Sequence, residues 1–336
     1  MADVARAAGV SPMTVSYTYN RPDRVSTESR EKVLRTAAAL GYAGPDPSAR
    51  SLRYGATRTL GVVLGEDLTY AFDDPGAVAF LGGIAEVCSK RGYGLLIVPT
   101  RTGEDDPDRV VAAAVDAYVV WTTTADDPVL TAACSTRRPV VVHGGPDLDG
   151  TTLISIDNRA AARAVGAEVF ATARRPAVLS FPVDRNRDSF VRPGLDTEAV
   201  AYPVTRDRLA GYRDAAEDLG IDWSRVPVGV CRTNAVDEAR AVTRRLLASA
   251  PDLDAVAAMG DKLALGALRE APGRLRISGW DDSDVAREHD LTTVAQSLRE
   301  QGAACAAAAL GDPAPDHRAA WWVVRRASTV SPRGRR

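Results

Sequence analysis

Two groups of residues in this 336-residue chain have the types and spacing to do chemistry. One lies near the N terminus, where Pro12, Met13, Thr14, Ser16, Tyr17 and Asn20 put hydroxyl, phenol, thioether and amide groups at helical intervals. The other is spread through the body at the ends of apolar runs: Phe72-Asp73, Trp121, His143, Asp157, Asp261 and Trp280-Asp281-Asp282. Carboxylates accept paired hydroxyl hydrogen bonds, and indole faces cover the C–H patches of a ring, so this second set suits a polyol. Asp157 and Asp261 fit equally well as caps of the helices they precede, and His143 as a satisfied loop histidine. Nothing points to an enzyme, a metal or a cofactor. His143, His289 and His317 have no metal-ligand spacing, the four cysteines form no CxxC pair, and neither GxSxG nor GxxxxGK[ST] occurs.

The elements that must hold the first group can be read locally. Residues 2–8 suit a short helix with Val4, Ala5 and Ala8 on one face, and Gly9 permits the left-handed turn that reverses it. Ser11 then caps a second helix, with Pro12 at its first position, running to about Asn20. Val15 and Tyr19 face the partner helix, while Met13, Ser16, Tyr17 and Asn20 look the other way. Ser26 caps a third helix carrying Val33, Ala37 and Leu40, which Gly41 ends. Two helices about a tight turn with a third for support form a helix-turn-helix, whose second helix is narrow enough for the DNA major groove. A second cap-plus-proline signal, Asp46-Pro47, opens a helical stretch Ser48–Tyr54 too short to be stable alone.

From Thr59 the texture changes to apolar strands alternating with amphipathic helices, the pattern of parallel sheets in doubly wound α/β layers. Ligands bind such folds beyond the carboxyl ends of the strands, near switch points of the strand order, which is where the second group sits. Charge separates the two parts. Residues 1–58 hold nine bases against five acids, a net +4, and the remainder holds 33 bases and 39 acids, a net −6. A basic head on an acidic body suits a head that meets phosphate. No apolar run approaches the roughly 20 residues of a membrane span, and Met1 leads straight into a helix with no leader, so a cytoplasmic location is expected.

Residues 2–54 resemble the head of the lactose-repressor/galactose-repressor family of bacterial regulators. The likeness rests on Asp3-Val4-Ala5, Ala8-Gly9-Val10-Ser11, Thr14-Val15-Ser16, Asn20, Val25-Ser26, Leu40-Gly41-Tyr42 and Ala49-Arg50-Ser51-Leu52-Arg53. It implies that Met13 and Tyr17, with Pro12 beside them, face base edges, and that Thr14, Ser16 and Asn20 touch phosphates. It also implies that Leu52 from each subunit wedges into the minor groove, with Arg50 and Arg53 within reach of flanking phosphates. Tyr17 stands where many members carry Arg or His, so the base it faces does not carry over.

The body resembles the family's periplasmic-binding-protein-like effector domain. Arg208-Leu209-Ala210-Gly211-Tyr212 matches its arginine motif, and Gly279-Trp280-Asp281-Asp282 and Leu291–Gln296 are also typical, which implicates Arg208, Asp281 and Gln296 in ligand binding. Residues 171–176, 260 and 271–276 depart from the family pattern, and 182–207 fit no pattern, so ligand specificity does not carry over. The expected organisation is a head (1–44), a hinge (45–58), a two-lobed effector and dimerisation domain (59–330) and a disordered tail (331–336). Its lobes are expected at about 59–157 plus 283–311 and 158–282 plus 312–330. The expected function is a repressor of carbohydrate genes. It would bind a pseudo-palindromic double-stranded operator as a homodimer, respond to a sugar or a derivative, and meet no membrane. Activation, or response to a non-sugar such as a nucleobase, is the alternative.

Overall fold

The computed structural model describes residues 1–44, 56–66, 68–100, 106–315 and 318–329. The hinge residues Arg50, Leu52 and Arg53, and residues 330–336 with the tail 331–336 among them, lie outside the described residues. The chain divides into two compact units, Met1–Thr57 and Arg58–Arg336.

In the first unit, α1 (Ala2–Ala8), α2 (Pro12–Asn20) and α3 (Thr27–Ala39) enclose a small core of Val4, Ala5, Ala8, Val15, Val33 and Ala37. Gly9 closes α1 at φ 62°, and the Ser11 hydroxyl caps α2 by accepting the Thr14 N–H at 3.1 Å. Tyr19 leaves the back of α2 to meet Tyr42 edge-on at 6.1 Å, pinning the chain that follows α3.

The second unit has two sheets. The first is wholly parallel, in the order β2 (Gly94–Pro99), β1 (Thr59–Leu64), β3 (Ala117–Trp121), β4 (Val140–His143), β5 (Thr152–Ile154). A one-turn helix α4 (Tyr70–Asp73) leads into α5 (Pro75–Arg91), and α6 (Asp106–Ala112) and α7 (Pro128–Ser135) complete the connections. Apolar side chains fill both faces, with Leu60, Val62, Phe80 and Ile84 in one core and Val63, Val110, Tyr118 and Leu130 in the other.

The second sheet has seven strands, in the order β12 (Trp321–Val324), β11 (Thr292–Gln296), β10 (Arg276–Trp280), β9 (Ala255–Ala258), β6 (Pro176–Ser180), β8 (Pro227–Val230), β7 (Phe190–Pro193). Only the two edge strands, β7 and β12, run antiparallel to their neighbours. Helices α8 (Asn158–Phe170), α9 (Pro203–Asp218), α10 (Val236–Ser249), α11 (Asp261–Glu270) and α12 (Asp284–Glu288) belong to this lobe. Helix α13 (Leu298–Ala309) returns to the first lobe and packs on α5.

The lobe limits differ from those expected. Residues 283–296 belong to the second lobe, because β11 is hydrogen-bonded between β10 and β12 and cannot leave that sheet. The passage between lobes comes one residue later, at Ser297, whose hydroxyl caps α13 through the Glu300 N–H. Other passages are at 155–157 and before β12, where Ile156 bridges to Ala319. Among the described residues no helix is long and apolar enough to cross a membrane.

Glycines let the helix pairs approach closely. A Cβ at Gly83 on α5 would lie 1.9 Å from the Arg299 carbonyl oxygen on α13, and one at Gly302 would lie 2.1 Å from that of Phe80. Alanine favours helix by about 1 kcal/mol over glycine, but overpacking against backbone costs about 1–3 kcal/mol or more. Gly83→Ala is therefore expected to lose about 2 kcal/mol of stability, read as a lower urea midpoint; an unchanged midpoint would show that α5 and α13 can separate freely.

Candidate functional site

In the head, α2 presents a mixed face. Pro12 and Met13 are exposed, Met13 by 52%, and Thr14, Tyr17 and Asn20 are half-buried. Ser16 is buried and already engaged: Asn20 Nδ2 donates to its carbonyl at 3.0 Å and to its hydroxyl at 3.4 Å. The Met13 thioether and the Tyr17 ring of this face have no partner among the described residues, the Ser11 and Thr14 hydroxyls at the helix start pair at 2.9 Å, and the Ser16 hydroxyl, which accepts from Asn20, can still donate.

In the body, a cavity of about 120 Å³ opens between the lobes. It sits at both switch points of strand order, between β1 and β3 in one sheet and between β6 and β9 in the other. Residues just past those strand ends, Gly65, Thr122 and Phe181, line it. Of the residues expected there, Trp121, His143, Arg208, Asp281 and Gln296 line it. Trp121 and His143 stack at 5.0 Å on one wall, backed by Phe80.

Arg208 comes from the buried face of α9. Its Nε donates to Asn158 Oδ1 at 2.9 Å and its Nη1 to the Met259 carbonyl at 2.7 Å, and the guanidinium lies 3.8 Å over the Trp280 ring. Burial lowers its pKa to about 10, which leaves it charged at neutral pH. Asp281 sits at φ 101° past β10 and takes a 2.7 Å hydrogen bond from Gln296 Nε2. Burial pushes its carboxyl up to about 7, with Asp261 and Asp74 adding to the rise and Arg208 and Gln296 opposing it. Burial also holds His143 down at about 4, so its ring is neutral.

Six expected residues do not line the cavity, among them Asp282, whose carboxylate accepts from Arg326 instead. Phe72 is 66% exposed and Asp73 offers only its carbonyl, to Lys262, because the extra turn α4 rotates both outward. The same turn carries Tyr70 and the next residue, Asp74, to the cavity. Asp157 is a helix cap, accepting the Ala160 N–H at 3.0 Å and pairing with Arg318. Asp261 is buried behind the cavity wall, where its carboxylate accepts from the Trp280 N–H, the Ser283 N–H and hydroxyl, and the Thr293 hydroxyl, at 2.8–2.9 Å. Trp280 is fully buried and supports Arg208 from beneath.

Sequence reasoning missed several lining residues. Asp74 caps α5 through Gly76 and Ala77, and its other oxygen accepts from Asn234 Nδ2 at 3.1 Å. The Asp-Pro step at 74–75 was the signal for it. Arg187, from the unpatterned 182–207 stretch, clamps Glu66 of the other lobe through two bonds of 2.7 and 2.8 Å and also donates to the Gly65 carbonyl. An Asx turn from Asp184 holds Arg187 at φ 53°. Gln301 and Asn234 carried no local signal. No cluster of His, Cys, Asp and Glu among the described residues could hold a metal.

Comparison with known proteins supplies the context. Residues 1–44 match the family described as bacterial regulatory proteins, lacI family, and residues 188–329 match a periplasmic binding protein-like domain. A helix-turn-helix transcriptional regulator of Mycolicibacterium smegmatis is 36% identical over 319 residues, covering 90% of this chain and 87% of that protein. A LacI-family transcriptional regulator from Corynebacterium glutamicum has a crystal structure similar at TM-score 0.74 and 30% identity, over 98% of each chain. The transcriptional regulator CelR in complex with cellobiose is similar at TM-score 0.68 and 26% identity, over 97% of this chain and 98% of that one.

The Asp281 carboxyl makes a pH prediction. It titrates near 3.8 when unfolded and near 7 when folded, so the folded chain holds the extra proton between those values. Its contribution favours folding below the unfolded value and is lost as pH rises through 7. Asp281→Asn should therefore gain stability relative to the parent at about pH 8 but not at about pH 4; denaturant titrations at the two pH values would show a constant difference if the carboxyl were not raised.

Proposed function

The chain belongs to the lacI family of bacterial regulatory proteins, and from that premise we propose that it is a dimeric repressor whose hold on a pseudo-palindromic operator is set by a neutral sugar or sugar derivative in the cleft. It is a transcriptional regulator and not an enzyme, as its relatives are. The observation that carries the ligand class is the cavity's polarity. Asp281 and the unpaired Asn234 Oδ1 offer acceptors, Arg208 offers donors, and Trp121 and Phe181 offer flat apolar faces. Two of the cations about it are taken by carboxylates, Arg187 by Glu66 and Lys262 by Asp74, so among the described lining residues a phosphorylated ligand would find Arg208 alone. The cellobiose bound by CelR agrees with this class.

On the DNA side, Met13 and Tyr17 read bases, and Thr14, Ser16 and Asn20 position the head on phosphates. Leu52, flanked by Arg50 and Arg53, enters the minor groove at the dyad, and two heads meet half-sites about one helical turn apart. The ligand acts by binding one lobe arrangement better than the other, which changes how the paired hinges meet DNA.

A melting-temperature screen of cellobiose, other neutral sugars, sugar phosphates and purines tests the ligand class. A neutral sugar at a hundred times its Kd should stabilise by about 2.7 kcal/mol. A response confined to phosphates or purines would overturn the reading. Arg208→Ala should abolish that response while operator binding in a gel-shift assay persists.

Leu52→Ala should weaken specific operator binding by about tenfold or more, roughly 1.4 kcal/mol, and leave non-specific binding nearly unchanged. Equal losses on both DNAs would remove Leu52 from the minor groove.

A further inference from the structure

Four side chains form an unbroken hydrogen-bonded line through the passage between the lobes. Gln296 Nε2 donates to Asp281 Oδ1 at 2.7 Å, Gln301 Nε2 donates to Gln296 Oε1 at 3.1 Å, and His143 Nε2 lies 3.0 Å from Gln301 Oε1. The direction of this line follows from its end. An ionised carboxylate can only accept, so Gln296 must turn its amide N–H to Asp281 and its carbonyl to Gln301. Gln301 must then give its N–H to that carbonyl, which leaves its own oxygen for His143. Only an N–H on His143 Nε2 can fill it. The neutral ring has one proton, so Nδ1 is bare; it is buried, lies on a cavity-lining side chain and has no protein partner.

We propose that Gln296 and Gln301 are positioning residues for ligand selection: they relay the state of Asp281 to His143 and fix its tautomer with Nδ1 bare, so that the first lobe meets the ligand with an acceptor and selects a hydroxyl or amine at that point. The selection rests on the effector reading above; the relay does not. The line also runs backwards. When Asp281 takes up a proton from solvent, its O–H donates to Gln296, both amides turn over on the same heavy-atom positions, and Gln301 donates to His143 Nε2. The single imidazole proton then exchanges through water to Nδ1. One proton enters, at Asp281, and the same wall becomes a donor.

The groups that face Asp281 decide where this reversal falls. Arg208 on α9 and Gln296 on β11 favour the ionised form, Asp261 on α11 and Asp74 ahead of α5 oppose it, and Tyr70 on α4 and Tyr212 on α9 sense it. His143 stays neutral throughout, since burial holds it near 4, well below Asp281 near 7.

The experiment is nitrogen NMR of the full chain labelled at histidine, with no ligand added, His143 being assigned by the signal lost in His143→Asn. At about pH 8 its Nε2 should be protonated and its Nδ1 bare, and the two should exchange roles by about pH 6. Gln301→Leu should abolish that pH response, and Gln301→Glu, whose carboxylate can only accept, should hold the Nε2–H form at both values. A thermal melt of each variant beside the parent reports whether it is folded. A protonated Nδ1 at about pH 8 in the parent, or an unaltered response in Gln301→Leu, would overturn the relay and leave the effector reading standing. A silent sugar panel with the tautomer exchange intact would do the reverse.

Discussion

The cleft wall of the second lobe depends on one carboxylate that does not itself line the cavity. Asp261 is buried, and a buried carboxylate must be met by donors or cost several kcal/mol. Its four donors come from the end of β10, the turn after it and β11. The approach is possible only because Gly279 has no side chain; a Cβ there would lie 2.2 Å from Asp261 Oδ1. Drawing residues 280–283 onto that point forces Asp281 and Asp282 to φ 101° and 48°, a conformation side chains rarely adopt. The strain aims Asp281 into the cavity and sends Asp282 the other way, where Arg326 receives it at 2.6 Å.

The same economy governs the cationic side. Arg208 spends its Nε and Nη1 on Asn158 and Met259 and its face on Trp280, so its position is fixed before any ligand arrives. Arg187 is held differently. Its partners, Glu66 and Gly65, belong to the opposite lobe, and its backbone is set by a local Asx turn. One arginine therefore belongs to a wall, and the other joins two walls.

What was legible in the sequence was what local physics decides. The Ser11-Pro12 cap, the Gly9 turn and the alternation of apolar strands with helices follow from neighbours in sequence, and the head and the doubly wound body came out accordingly. Trp121, His143 and Asp281 were legible because they follow strands, and such ends converge on a cleft in any parallel sheet. Phe72 and Asp73 failed because a single turn, α4, changed which side chains face inward. Asp157 stays out of the cavity because it caps its own helix, whereas Asp261 makes no cap and is held behind the wall by donors from β10, the turn after it and β11. Gln301 and Arg187 carry no pattern at all: each matters through a partner more than a hundred residues away.

Ser297 is the only residue between β11 and α13. With no slack in that link, the lobes are free to turn about it but not to slide apart there. Rotation moves atoms in proportion to their distance from the axis, so groups beside the link travel least. Gln296 and Gln301 flank it on either side. The polar thread from one lobe to the other thus lies along the spine of the book, where a turn of the pages would disturb it least, whereas the grip of Arg187 on Glu66 is a clasp between the pages.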